Sequence, residues 1–257
     1  MRTSIFVLSI FLSLSEALLA NPTYQLGDEL YVWAPSGLNA RMEPGISGKK
    51  IGKWEFGTKL KVLAKTDRAF STSIIKNELP ESWEGENRDA RAESALKLRG
   101  QWVKVQGPTF VGYVVDVYLI GMRPPRQKTS LLAYLETWGK APVKIDTTWL
   151  ENCDGGPGPD CYEYAGKASS GVEINGSVYS VGGDESIGIP GLSLQQGLVL
   201  YNYFSPIEDG NRSKIDRPAL VLMTLEKDYI YLVEDELCEL GFRLEGGMLW
   251  ISYGCSC

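Results

Sequence analysis

The chain has 257 residues, 44% hydrophobic and 23% charged, which provides enough apolar material for a sizeable core in one or two domains. The net charge is −6 and the basic residues are scattered, so neither nucleic acid nor an anionic membrane is expected as a partner. Histidine is absent, which excludes Ser-His-Asp and Cys-His mechanisms and zinc held by imidazole, because all of these need that side chain.

The first twenty residues differ from the rest of the chain. Arg2 supplies a positive start, residues 5–14 are an apolar run too short to span a bilayer, and small residues precede Asn21. This pattern is typical of a secretory signal peptide over residues 1–20. It predicts an exported protein, periplasmic or extracellular, and no later run is apolar enough for a membrane span.

Residues 27–119 contain short apolar runs of period two, separated by turns rich in glycine, proline and serine. Such runs predict a small antiparallel β-barrel. Residues 66–100 interrupt them with a mixed-charge stretch that contains helix-favouring alanines. We predict a long inserted loop there, with one short helix over residues 87–98. Loops of this length are commonly functional. The alternative is a solvent-exposed loop that has no function.

The paired prolines Pro124 and Pro125 end the last strand of this region and predict a domain boundary. Residues 21–122 are therefore predicted as the barrel domain, and residues 123–257 as a second domain.

In the second half, an amphipathic helix is predicted over residues 130–138 and a strand over 141–150. Asn175-Gly176 predicts a hairpin turn. The Ser193-x-x-Gln196 capping box predicts a helix over residues 194–204. Four short strands are expected after it, over residues 219–225, 229–233, 240–244 and 248–253. The second half is thus predicted as an α+β domain, with an antiparallel sheet and one or two helices on one face.

All five cysteines lie in the second half: Cys153, Cys161, Cys238, Cys255 and Cys257. Cys153 and Cys161 flank a loop of glycine and proline that lets them meet, so we predict a disulfide between them. Cys238 can pair with either Cys255 or Cys257. An odd count leaves one thiol free or bridging to another chain.

Several fragments of residues 27–119 resemble the bacterial SH3 (SH3b) family. They are Leu30-Tyr-Val-Trp-Ala, Ser36-Gly-Leu-Asn-Ala-Arg with Pro44, Ile51-Gly-Lys, Gly57-Thr-Lys-Leu-Lys-Val-Leu, Trp102-Val-Lys-Val and Gly112-Tyr-Val-Val-Asp. The resemblance implies an SH3-like barrel in an exported bacterial protein, of a kind that often targets cell-wall peptidoglycan or its peptides. The insertion at residues 66–100 departs from the family pattern, and the second half carries no such resemblance.

Acidic groups raise the alternative of a glycosidase, which needs two carboxyl groups at a defined separation. The candidates are Glu151, Asp154, Asp160 and Glu163, and a second group at residues 234–236. The loop from Asp154 to Asp160 also has oxygen ligands for calcium, but its spacing lacks the EF-hand pattern. Solvated acidic turns are the simpler interpretation, so we predict no metal, no cofactor and no catalytic residue.

Exposed aromatic residues are better binding candidates, because they offer flat apolar area for stacking. We predict ligand contacts at Tyr31, Trp33, Trp54 and Phe56. The alternative for Trp33 is packing against the second domain. The predicted function is a non-catalytic exported protein whose SH3b-like barrel binds a cell-wall component, a peptide or an envelope protein. The alternatives are a cell-wall hydrolase or hydrolase inhibitor acting through the second domain, and a structural subunit bridged by the odd cysteine.

Overall fold

The structure is a computed structural model that describes residues 24–73, 96–140, 142–150, 161–179, 182–208, 221–226, 228–233 and 238–256. The predicted signal peptide lies outside the described residues. So do Cys153, Cys257, Glu151, the loop from Asp154 to Asp160 and residues 234–236.

The N-terminal half forms an antiparallel, barrel-like sheet of seven strands in the order β3-β2-β6-β5-β4-β1-β7. A 3-10 turn, Asp116–Tyr118, separates the last two strands. The strands are β1 (Glu29–Val32), β2 (Leu38–Arg41), β3 (Lys50–Trp54), β4 (Lys59–Ser73), β5 (Lys97–Gln106), β6 (Val111–Val115) and β7 (Leu119–Ile120). The expected alternation is present in β4, where Leu60 and Val62 are buried while Lys59 and Lys61 are exposed.

The C-terminal half forms an antiparallel sheet of eight strands in the order β12-β13-β14-β15-β11-β10-β9-β8, with two helices. The helices are α1 (Leu131–Gly139) and α2 (Leu194–Glu208). The strands are β8 (Lys144–Trp149), β9 (Tyr162–Lys167), β10 (Glu173–Tyr179), β11 (Gly182–Pro190), β12 (Val221–Leu225), β13 (Tyr229–Val233), β14 (Cys238–Glu245) and β15 (Met248–Ser256). The predicted fold class, mainly β with a barrel-like part and an α+β part, is confirmed.

The predicted capping box at the start of α2 is confirmed. The Ser193 backbone N–H donates to Gln196 Oε1 at 3.0 Å, and the Gln196 N–H donates to Ser193 Oγ at 3.3 Å. One turn on, a Cβ at Gly197 would lie 2.6 Å from Leu249 Cδ2, closer than side chains tolerate. Glycine at this position therefore lets α2 lie directly on the sheet.

The predicted loop at residues 66–100 is wrong at both ends. Strand β4 continues to Ser73, and β5 begins at Lys97, with Ser73 opposite Lys97 and Thr72 opposite Leu98. The pairing of β4 with β5 contains two register shifts, where β4 has more residues than the strand opposite it. Leu98, predicted as helical, is instead a fully buried strand residue. Residues 74–95 lie outside the described part of the chain.

The predicted hairpin turn at Asn175-Gly176 is also wrong, because both residues lie inside β10 and pair with β9 and β11. A Cβ at Gly176 would lie 2.4 Å from the Asp184 carbonyl oxygen and 2.6 Å from Tyr164 Oη. Glycine at this position thus allows the Asp184 carbonyl and the Tyr164 side chain to pack closely against the backbone of β10, and it does not form a turn.

The cysteine pairing is resolved for one bond. Cys238 and Cys255 are directly opposite in β14 and β15, with Cα atoms 4.1 Å apart, and form a disulfide. This confirms one of the two predicted alternatives for Cys238. Cys161 is buried and disulfide-bonded, but its predicted partner, Cys153, lies outside the described residues. A disulfide is compatible with export. None of the helices in the described residues has the length and apolarity needed to cross a bilayer.

The two sheets share one contiguous hydrophobic core, and Trp33 lies where they meet. Its side chain is 0% exposed, and its Nε1–H donates to the Met122 carbonyl oxygen at 2.7 Å. The indole contacts aromatic rings from the barrel, from α1 and from α2: Phe56, Tyr134, Tyr203 and Phe204. A second link is the hydrogen bond from the Arg99 N–H of β5 to Gln195 Oε1 of α2, at 2.7 Å.

We expect Trp33→Ala to lower the free energy of unfolding by about 3–5 kcal/mol, because the variant removes a buried apolar side chain and leaves a cavity in the core. The matched control is Trp149→Ala, since Trp149 is 64% exposed and its truncation is expected to change stability by only about 0.5 kcal/mol. Urea unfolding of the two variants measures the difference. Equal unfolding midpoints would show that Trp33 does not hold the two halves together.

Candidate functional site

The structure does not bring the four predicted ligand-binding aromatics together on one surface. Trp33 is buried between the two halves, and Trp54 is 2% exposed and stacked on Phe110 with ring centroids 4.7 Å apart. Phe56 stacks on Tyr203 of α2 at 5.0 Å, and Tyr31 is half-buried against the core. Trp33 and Trp54 are therefore not accessible to a ligand, because a small barrel fills its interior with large side chains and the C-terminal helices cover one end of it.

Of the acidic residues proposed for the hydrolase alternative, only Glu163 is described. It is exposed on β9. Within the described ranges, histidine, cysteine, aspartate and glutamate side chains form no group of three or more that could hold a metal ion.

The C-terminal sheet has two different faces. Its inner face carries the apolar residues buried under α2, such as Phe242 and Ile251. Its outer face carries the alternate residues, and Asn175, Asp184 and Arg243 are exposed there. Because side chains alternate along each strand, the register of five strand pairs places the outer-face residues in rows that run across the sheet.

The middle row is a floor of small and short polar residues with a tyrosine at one end. It consists of Tyr231, Gly241, Ser252, Ser186, Asn175 and Ala165. Three of its members, Ser252, Ser186 and Asn175, line an open concavity of the outer face. We therefore call this row, which crosses β14, β15, β11, β10 and β9, the trough.

On one side the trough is bordered by a row that contains Tyr229, Arg243, Trp250 and Gly188. Trp250 is half-buried, and a Cβ at Gly188 would lie 3.0 Å from its ring. Glycine at position 188 thus leaves the space that the outer edge of the indole occupies beside β11. A concavity of about 520 Å³ opens beside this row and is lined by Tyr229, Arg243, Trp250, Ser186, Ser252 and Asn175, among others.

The other border of the trough is acidic. The row contains Glu239, Gly254, Asp184, Ser177 and Glu163, in strands β14, β15, β11, β10 and β9, and three of these five residues are carboxylates. The Ser177 hydroxyl and the Asp184 carboxylate are hydrogen-bonded to each other across β10 and β11. On the whole outer face, carboxylates outnumber cations, and two of the cations are in ion pairs: Arg243 with Glu245, and Lys167 with Glu173.

A tight turn sets the register that aligns these rows. Gly246 and Gly247 join β14 to β15, with φ of 58° and 80°. Two consecutive positive φ values are required by a type I′ hairpin, and glycine adopts them without strain. Glu245 is therefore opposite Met248, which puts Arg243 opposite Trp250.

Tyr229 and Tyr231 lie parallel at one end of the trough, with ring centroids 6.3 Å apart and an interplanar angle of 13°. A hydrogen bond to the Glu239 carboxylate, with some burial, raises the pKa of Tyr231 to about 12. Burial, and then the charge of Glu239, raise the pKa of Tyr229 as well. Both phenols therefore keep their protons at neutral pH. The Tyr231 proton is donated to Glu239, so the Tyr231 oxygen is left to accept a hydrogen bond from a ligand.

Sequence reasoning missed this face. The sequence predicts Tyr229, Tyr231 and Trp250 only as members of strands. The available signal was the period-two pattern of Tyr229-x-Tyr231 and Trp250-x-Ser252, which places these side chains on the face opposite the buried residues Ile230 and Ile251.

We expect Glu239→Gln to lower the pKa of Tyr231 from about 12 toward its ordinary value of 10.0, because the variant removes the carboxylate that accepts its proton. Stability follows the same linkage. A raised folded-state pKa stabilises the fold below pH 10, and that contribution is lost as the pH rises through 12. Spectrophotometric titration of phenolate measures the pKa, with Tyr231→Phe identifying the signal. An unchanged titration in Glu239→Gln would contradict the assignment.

Comparison of the chain with protein-family models, with curated proteins and with solved structures found no match.

Proposed function

We propose that this chain is a non-catalytic, exported binding protein whose ligand, a cell-wall component, a peptide or an envelope protein, docks on the outer face of the C-terminal sheet. The N-terminal barrel, which resembles the SH3b family, would support that face from the other side of the shared core. This differs from the expectation that the barrel itself makes the ligand contacts.

The observation that carries the proposal is the contrast between the two sets of aromatic residues. Trp33 and Trp54 of the barrel are buried and already have aromatic partners. Trp250 is half-buried and borders an open concavity with Tyr229 at its end. Tryptophan and tyrosine placed this way dominate binding energy at interfaces, because they add large contact area at a small cost in conformational entropy.

The same residues favour binding over catalysis. Hydroxyl, amide and phenol groups line the trough, and the phenols of Tyr229 and Tyr231 hold their protons too tightly to act as bases near neutral pH. Arg243 is paired with Glu245 at 3.0 Å. Such groups orient a ligand by hydrogen bonds and stacking.

The test is cosedimentation of the full-length mature protein with bacterial sacculi that retain their attached peptides and proteins. We expect the wild-type protein to sediment with the sacculi, and Trp250→Ala to bind about tenfold more weakly or worse, because it removes the largest accessible ring of the site. Urea unfolding of Trp250→Ala establishes that the variant is folded.

Trp149→Ala is the matched control, because Trp149 is an exposed tryptophan on an edge strand of the same sheet, on the inner face. It is expected to bind as the wild type does. Equal binding by wild type and Trp250→Ala, no binding by the wild type, or release of soluble fragments from the sacculi would each overturn the proposed function.

A further inference from the structure

We propose that the trough binds an oligosaccharide chain rich in hydroxyl groups, laid across the strands. This inference rests on the proposed function and names the ligand class for the same face. Four observations carry it: the direction of the trough, the chemistry of its floor, the ring along one border and the charge of the other.

The trough is long and runs perpendicular to the strands. Its floor extends from Gly241 on β14 to Ala165 on β9, with Ser252, Ser186 and Asn175 between them. Neighbouring strands are ~4.8 Å apart, so the four intervals give a floor about 19 Å long. That length accommodates several sugar rings in an extended chain.

The floor offers both donors and acceptors. Ser252 and Ser186 present hydroxyl groups, and the exposed Asn175 presents an amide. A sugar hydroxyl both donates and accepts a hydrogen bond, so it is best matched by groups that do the same. At one end, the Tyr231 hydroxyl donates a hydrogen bond to the Glu239 carboxylate, which fixes the orientation of that hydroxyl.

Trp250 supplies the apolar part of the match. A pyranose ring has one face of C–H groups, and the half-buried indole, which occupies the space left by the missing side chain at Gly188, offers an aromatic surface on which that face can stack. The trough therefore combines a polar floor, which matches the hydroxyl groups of a sugar, with an aromatic border, which matches its C–H face.

A peptide fits this trough less well. Peptides that bind sheets add to a free strand edge through main-chain hydrogen bonds. The trough instead crosses β14, β15, β11 and β10, each of which is paired on both sides, so their backbone groups are already satisfied. The floor also lacks the separate apolar pockets that would receive alternate side chains of a peptide.

The carboxylates of the acidic border determine, by charge, which sugars the trough can bind. Glu239, Asp184 and Glu163 accept hydrogen bonds from hydroxyl groups or charged amines, and they repel carboxylates. Arg243, a cation that lines the concavity, is paired with Glu245. We therefore expect the face to bind neutral or amine-bearing sugars and to reject uronic acids.

The experiment is calorimetric titration of the full-length mature protein with three linear oligosaccharides of equal length: glucosamine oligomers, their N-acetylated forms and oligogalacturonate. We expect the first two to bind at least about tenfold more tightly than oligogalacturonate, since like charges oppose its approach. Trp250→Ala should weaken this binding about tenfold. Asn175→Ala changes an exposed residue without risk to the fold and should weaken it about fivefold. Trp149→Ala should bind as the wild type does.

The outcomes separate this inference from the proposed function. Sacculus binding that depends on Trp250, without binding of any of the three oligosaccharides, would overturn the sugar inference, assign the face to a peptide or protein and leave the proposed function standing. Oligosaccharide binding without sacculus binding would uphold the sugar inference and overturn the envelope role. Oligogalacturonate that binds as tightly as the others, or tight binding by both trough variants, would overturn the inference.

Discussion

The burial of Trp33 is the contact on which the rest of the structure depends. The indole of Trp33, directly after β1, is enclosed by aromatic rings of the barrel and of both C-terminal helices, and its N–H donates to the backbone carbonyl of Met122. A tryptophan of this kind buries a large apolar area while its one polar atom remains hydrogen-bonded, which avoids the cost of an unsatisfied donor. The barrel and the C-terminal sheet thereby share one core. Trp33, which the sequence predicts as a ligand contact, is covered by this internal interface.

That use of the inner surfaces leaves the outer face of the C-terminal sheet free for another role. Helix α2 lies close against the inner face because Gly197 has no side chain, and it covers apolar residues such as Phe242. A covered inner face allows the outer face to be polar, as antiparallel sheets commonly are. On this outer face the strand register brings short polar residues into one row, Trp250 into the next and three carboxylates into the third. An aligned surface on paired strands is rigid, and rigidity limits the entropy lost when a ligand binds.

Electrostatics gives the same face its chemical character. Glu239 holds the proton of Tyr231, and ion pairs engage Arg243 and Lys167, so the surface presents hydrogen-bonding groups together with excess negative charge. With no histidine anywhere in the chain, no side chain has an ordinary pKa near neutrality for proton transfer. The proposed binding, by stacking and hydrogen bonding, needs no such group.

Local patterns in the sequence determined much of the secondary structure: the alternation in β4, the capping box at Ser193 and Gln196, and the four C-terminal strands, because each depends only on neighbours along the chain. Those patterns failed at Asn175-Gly176, where a turn dipeptide lies inside a strand, and at residues 66–100, where a hairpin arm continues past the expected strand end. In both places contacts with distant residues overrode local preference. Only the tertiary structure decided which aromatic residues are accessible, because accessibility depends on what packs on each face. The partners that bury Trp33, and the register that aligns Trp250 with Gly188, are far away in sequence and close only once the chain has folded.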